Sequence, residues 1–176
     1  MGDEVMFPTK AVANFFIDLG RAYKVHDLTP MKLQKLVYYA HGWHLAVTGK
    51  PLITEPVQAW PFGPVIPQLY HDCKEYDDSP VTRKLTSMEL LPGTMKFRTF
   101  TPEIEGKSPE IDETKAILTK VWNTYSKFTS IQLSNMTHEA GTPWDQVNRQ
   151  YGGQIPKKMV IDNDVIRQYF EKQAKK

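Results

Sequence analysis

Five histidines and a single cysteine are the residues of this chain whose types suit a transition metal. His41 and His44 stand one helical turn apart, and His71, Cys73 and His138 follow later in the chain. Zinc binds thiolate and imidazole, but closed zinc sites use short ligand spacings that these residues do not reproduce. The sequence therefore predicts no bound metal or other cofactor, and it predicts that His44 is a neutral, hydrogen-bonded histidine of the core.

Ser134 and His138 are the second candidates for chemistry, because they lie one helical turn apart and Asp145 follows as an orienting carboxylate. A nucleophilic serine needs a strained, exposed turn and free backbone donors, whereas a serine inside a helix usually bonds the carbonyl four residues back. Cys73 and His71, two positions apart, would not face each other on a helix. We predict no catalytic residue, and a zinc-dependent or serine hydrolase is the alternative class.

The segment 60–65 has the chemistry of protein recognition. Its prolines fix the backbone, while Trp60 and Phe62 offer large contact areas at a small cost in conformational entropy. The alternative is that both rings fold inward over the helices, with Gly63 present for its backbone angles. The predicted partner-binding residues are Lys35, Tyr38, Trp60, Phe62, Gly63, Pro64 and Val65.

Lys35 and Tyr38 allow two interpretations. They lie one helical turn apart on the less apolar side of a predicted helix. Either they line a groove that anchors a partner, or Tyr38 packs inside while the lysine side chain reaches past it to solvent. The sequence does not choose between these two arrangements.

The element that would position these residues is a helix over residues 30–48. Thr29 and Pro30 are typical of an N-cap and a first turn, and Gly49 with Pro51 ends the segment. Apolar side chains almost encircle this helix, which predicts that it is the centre of the core. The side chains assigned to one of its faces are Leu33, Leu36, Val37, Ala40, His44 and Val47.

The remaining elements complete a predicted α+β fold that is mainly α. Apolar spacing and capping residues indicate about five to six helices around the buried central helix 30–48. Short strands near Val57 and Met95 are expected to form one small antiparallel sheet. We predict a single domain over 1–176, in which 77–110 is a variable hairpin or loop insertion and 171–176 is a charged tail.

Composition limits the classes of partner and the compartment. The 22 basic and 20 acidic residues leave a formal charge of +2, which does not indicate nucleic acid or a membrane surface. Residues 1–10 lack the basic and apolar runs of a secretory signal, and no window approaches the roughly 20 apolar residues of a membrane span. A lone cysteine fits a reducing cytosol. We therefore expect a cytoplasmic protein.

Three segments together carry an unusual combination of motifs. They are MKLQKLVYYAHGWHLAVTGKPL at residues 31–52, VQAWPFGPVIPQLY at residues 57–70 and LSNMTHEAGTPW at residues 133–144. In this order they resemble the Panacea domain of SocA-like and GepA-like phage-associated antitoxins. Phe62 stands where a tyrosine is commoner in that family. Many members carry an extra DNA-binding domain, which we do not expect here.

The resemblance implies an antitoxin that neutralises a toxin by direct binding, rather than an enzyme. It implies that the partner is encoded by an adjacent gene in a toxin–antitoxin or prophage locus. It leaves open whether the toxin is blocked or delivered to a protease, and a phage effector that binds a host regulator is a further alternative. The motif residues expected to be structural are Leu33, Leu36, Trp43, His44, Ser134, Thr137, His138, Pro143 and Trp144.

Overall fold

A computed structural model of the protein describes residues 5–176, so the prediction of a missing secretory signal lies partly outside the described residues. Within this range the chain forms seven helices and two pairs of short strands, which confirms the α+β, mainly α, class. The helices are α1 (Thr9–Ala22), α2 (Pro30–Thr48), α3 (Pro67–Asp72), α4 (Pro109–Tyr125), α5 (Ser130–Thr137), α6 (Pro143–Gln150) and α7 (Asn163–Ala174). The strands are β1 (Gln58–Trp60), β2 (Gly63–Val65), β3 (Ser87–Leu90) and β4 (Phe97–Phe100), and a short 3₁₀ helix covers Lys74–Tyr76.

Helix α2 is the centre of the core, as predicted, and α1, α4, α5 and α7 all pack against it. The Thr29 hydroxyl accepts a hydrogen bond from the backbone N–H of Lys32, and Gly49 ends the helix with φ +72°. Leu36 is completely buried. Val47 was predicted on the buried face but is 58% exposed, because it lies in the last turn, beside an open groove between α2 and α4.

The contact between α2 and α7 depends on a glycine. A Cβ atom at Gly42 would overlap the ring of Phe170, so a larger residue would push α7 away. The Phe170 ring packs edge-on against Trp43, with ring centroids 5.2 Å apart. Tyr39 stacks on Tyr125 of α4 with centroids 4.1 Å apart. These aromatic contacts hold α4 and α7 on neighbouring faces of α2.

The strands form two separate hairpins instead of the single sheet predicted near Val57 and Met95. Strands β1 and β2 pair antiparallel with Ala59 opposite Pro64. Strand β2 was not predicted from the sequence, because a proline such as Pro64 usually indicates a loop. The proline is tolerated because Ala59, the residue opposite it, does not hydrogen-bond to it, so the N–H that proline lacks is not needed in this hairpin. The N–H of Ala59 instead points away from β2 and donates to the carbonyl oxygen of Met159 at 2.8 Å.

The β3–β4 hairpin lies inside the segment 77–110 and exposes apolar side chains. Leu90 is paired with Phe97, and both are exposed, as is Met88 on the same face. That this segment varies among relatives stays a prediction. At the other end of the chain, α7 continues to Ala174, so most of the predicted tail 171–176 is helical.

None of the helices within residues 5–176 is both long and apolar enough to cross a lipid bilayer.

Candidate functional site

The turn between β1 and β2 is held by buried side chains of α2 and α5. The carbonyl oxygen of Phe62 accepts hydrogen bonds from the Lys35 ammonium at 2.9 Å and from the Ser134 hydroxyl at 3.1 Å. The same ammonium donates to the carbonyl oxygen of Pro64 at 3.0 Å. Lys35 therefore joins the tip of the turn and strand β2 to the central helix.

Two further side chains hold the preceding residues of the turn. Trp144, at the start of α6, donates its indole N–H to the carbonyl oxygen of Trp60 at 2.6 Å. His138, just after α5, places Nε2 3.0 Å from the carbonyl oxygen of Pro61. We call Lys35, Ser134, His138 and Trp144 the turn clamp, because they hold the backbone carbonyls of residues 60–62 and 64.

Gly63 lets the turn come this close. Its φ of +105° is strained for any residue with a side chain, and a Cβ atom there would lie 2.7 Å from Thr137 Oγ1 and 2.8 Å from Lys35 Nζ. The backbone of the turn thus sits directly on the side chains that bind it. This is the structural role that the alternative interpretation gave to Gly63.

The outer surface of the turn is aromatic and accessible. Phe62, at its tip, is 68% exposed, and Pro61 is also exposed. Trp60 is half-buried and packs against Tyr70 of α3 with ring centroids 5.1 Å apart. We call Trp60, Pro61, Phe62 and Tyr70 the turn ridge. It is an apolar surface on a backbone fixed from behind by the turn clamp.

Several predicted partner-binding residues are not part of this surface. Lys35 is 1% exposed, and the interpretation that its side chain reaches solvent is wrong, because the turn carbonyls replace water as its hydrogen-bond acceptors. Burial lowers the pKa of its ammonium to about 7. Tyr38 packs against Phe170, and burial raises the pKa of its phenol. The predicted partner-binding residues that are buried in the structure are Lys35, Tyr38, Gly63, Pro64 and Val65.

The two histidines of α2 are core residues, as predicted for His44. Its Nδ1 lies 2.8 Å from the carbonyl oxygen of Lys50, and its Nε2 lies 3.2 Å from Thr114 Oγ1. His41 contacts Asn163 Oδ1 through Nε2 at 2.9 Å. Burial lowers the pKa of both imidazoles, that of His41 to about 4. Both rings are therefore neutral near pH 7, with one nitrogen donating and the other accepting.

The candidates for hydrolytic chemistry are not assembled into a catalytic site. Among residues 5–176, no group of three histidine, cysteine or acidic side chains is close enough to hold a metal ion. The Ser134 hydroxyl donates to Phe62, while His138 Nδ1 faces the carbonyl oxygen of Ser134, not its hydroxyl. Asp145 instead pairs with Arg149 at 2.9 Å. Burial raises the pKa of the Cys73 thiol to about 12, which disfavours a reactive thiolate.

The remaining motif residues have structural contacts. Trp43 donates its indole N–H to the Tyr125 hydroxyl at 2.9 Å, and Thr137 donates to the carbonyl oxygen of Ser134 at 2.6 Å. Pro143 occupies the first turn of α6, behind the capping hydroxyl of Thr142. Every member of the turn clamp is recognisable as a candidate in the sequence, but their convergence on one turn is visible only in the structure.

The turn clamp, the turn ridge and the helical core define an α-rich domain in which buried side chains fix a hairpin turn with an apolar outer surface. The clamp also joins three segments that carry the motifs of one family. The chain belongs to the antitoxin SocA-like, Panacea domain family, whose model matches residues 33–145. This confirms the resemblance seen in the sequence.

One curated relative extends the match beyond the family domain. The chain is similar to Antitoxin SocA of Caulobacter vibrioides (strain NA1000 / CB15N), with 27% identity over 161 residues that cover 92% of this chain and 81% of the relative. No solved structure gives a significant match to the chain. The family model spans most of α2, the β1–β2 hairpin and α5, and therefore includes the turn and all four residues of its clamp.

Proposed function

We propose that this protein is an antitoxin that neutralises a partner toxin by direct protein binding, and that the turn ridge is its contact surface. The observation that carries the proposal is the state of Phe62: its ring is 68% exposed while its own carbonyl oxygen is bound by two largely buried donors. A large apolar side chain on a fixed backbone loses little entropy on binding. Membership of the antitoxin family supplies the class of partner.

The partner we propose is a toxin encoded by an adjacent gene, met in the cytoplasm. Both modes left open by the sequence, blocking of the toxin and its delivery to a protease, begin with a stable contact between the two proteins. We propose a binding role rather than catalysis, since Ser134 and His138 use their polar atoms to hold the turn.

The test is co-expression with the product of the adjacent gene, read as rescue of growth, together with calorimetric titration of the purified proteins. Phe62→Ala should weaken binding by about 2 kcal/mol, roughly 30-fold in Kd, and should leave the melting temperature unchanged. The matched control is Phe97→Ala, because Phe97 is also 68% exposed but lies on the β3–β4 hairpin.

The outcomes separate two surfaces. Loss of rescue by Phe62→Ala alone supports the turn ridge. Loss by Phe97→Ala alone would move the contact to the segment 77–110, and full rescue by both stable variants would also contradict the ridge. Failure of the unchanged protein to rescue growth would overturn the antitoxin role itself.

A further inference from the structure

Beside the turn ridge an open groove of about 710 Å³ lies between β1 and the loop 153–158. Its lining combines apolar side chains with two lysines, and it contains no acidic residue. The lining residues that matter here are Trp60, Pro61, Trp144, Ile155, Lys157 and Lys158. The groove shares Trp60 and Pro61 with the turn ridge, so the two surfaces are continuous.

The groove is preformed because both of its sides are anchored. On one side, the Trp144 indole N–H donates to the Trp60 carbonyl oxygen and so holds the Trp144 ring against the backbone of β1. On the other, the chain after the loop pairs with β1, since Ala59 N–H donates to Met159 O and Ile161 N–H donates to Val57 O, each at 2.8 Å. A partner segment would therefore find its binding site already ordered, which lowers the entropic cost of association.

The charges of the groove indicate what would occupy it. Lys157 and Lys158 are exposed, and neither forms an ion pair with any residue of the range 5–176. Lys158 has φ +61°, a left-handed conformation that is uncommon for lysine. Two free ammonium groups next to two indole rings suit a segment that joins large apolar side chains to carboxylates.

We propose that this groove binds an extended, apolar segment of the partner that is flanked by aspartate or glutamate. The proposal rests on the proposed function, because it assigns the groove to the same toxin that contacts the turn ridge. Trp60, Trp144 and Ile155 contact the apolar side chains, and Lys157 with Lys158 pairs with the flanking carboxylates. Phe62 and the groove together form one continuous contact surface.

The first experiment tests the groove without the toxin. An eight-residue peptide with a central Leu-Phe pair flanked by Asp and Glu is titrated into the ¹⁵N-labelled full chain, beside the same peptide with Lys as the flanking residues. The indole N–H signals of Trp60 and Trp144 should shift, and those of the distant Trp43 and Trp122 should not. The acidic peptide should bind about tenfold more tightly at about 50 mM salt, and this preference should shrink at about 500 mM.

A charge reversal identifies the source of the preference. Lys157→Glu with Lys158→Glu should abolish it or invert it, whereas the matched control Lys96→Glu with Lys107→Glu, two exposed lysines outside the groove, should leave it intact. Absence of indole shifts at millimolar peptide, or equal binding of both peptides, would overturn the inference.

The second experiment assigns the groove to the toxin and keeps the two proposals distinguishable. In calorimetric titration with the toxin, reversal of Lys157 and Lys158 should weaken binding, and the loss should be larger at low salt than at high salt. If Phe62→Ala abolishes binding and the reversal has no effect, the groove inference fails while the proposed function stands. If the unchanged protein does not rescue growth, the proposed function fails whatever the peptides do.

Discussion

The ammonium of Lys35 lies 2.9 Å from the carbonyl oxygen of Phe62, a residue 27 positions further along the chain. One of these residues is among the most buried in the protein, and the side chain of the other is among the more exposed. The hydrogen bond therefore connects the centre of the core to the tip of the turn ridge. A substitution that weakens this hydrogen bond should therefore displace Phe62 more than it displaces the helices.

The first prediction concerns the pH dependence of stability. Burial lowers the pKa of Lys35 from 10.5 to about 7, so between these values the unfolded chain binds a proton that the folded chain does not. Stability then rises with pH across this window, by at most about 1.4 kcal/mol per pH unit, and is independent of this group below it.

Urea unfolding from pH 6.5 to 10 measures this effect when Lys35→Met is the reference, since the variant keeps the other titrating groups. The difference in free energy of unfolding, unchanged protein minus variant, should increase with pH above about 7. A flat or falling difference would show that Lys35 keeps its ordinary affinity for protons.

The second prediction concerns the fit of Gly63. Gly63→Ala should lower the free energy of unfolding by about 2–5 kcal/mol, because backbone strain adds to overlap with Thr137 Oγ1 and Lys35 Nζ. Gly153→Ala is the control: its φ is +84°, but nothing lies within 4 Å of the added Cβ, so only strain of about 1–2 kcal/mol applies. Equal losses of unfolding free energy in the two variants would show that the neighbouring side chains leave room for a Cβ atom at Gly63.

The third prediction concerns the second donor to the turn. Ser134→Ala removes a hydroxyl that donates to the Phe62 carbonyl and should cost about 0.5–1.5 kcal/mol in chemical denaturation. Thr119→Ala provides the comparison, because its hydroxyl also donates to a carbonyl, that of Lys115, but on an exposed helix surface. A larger loss for Thr119→Ala than for Ser134→Ala would contradict a structural role for Ser134.

The fourth prediction concerns the core position of α2. Leu36→Ala should destabilise the protein by about 2–5 kcal/mol, since Leu36 is completely buried. Val47→Ala in the same helix should change stability by less than about 0.5 kcal/mol, because Val47 is largely exposed. Similar melting temperatures for the two variants would mean that α2 is not the centre of the core.

Local chemistry made much of the helical architecture predictable. Thr29, Pro30 and Gly49 act on backbone groups within a few residues of themselves, so their effect on α2 can be recognised without knowing the rest of the fold. Strand pairing was harder, even over a short distance. Pro64 argued against a strand at β2. The structure shows why a proline fits there: the N–H of the opposite residue, Ala59, bonds to Met159 and not to β2.

The amino-acid sequence is enough to identify the family, the central helix and the residues that hold the turn. It named Lys35, Ser134, His138 and Trp144, but it could not show that Lys35 is buried or that all of them bind one turn. The reason is that their acceptors are backbone carbonyls. Every residue carries such an oxygen, so no residue type marks where the carbonyls of a distant turn will converge. Which of them replace water around the buried Lys35 ammonium depends on how segments far apart in the chain pack together.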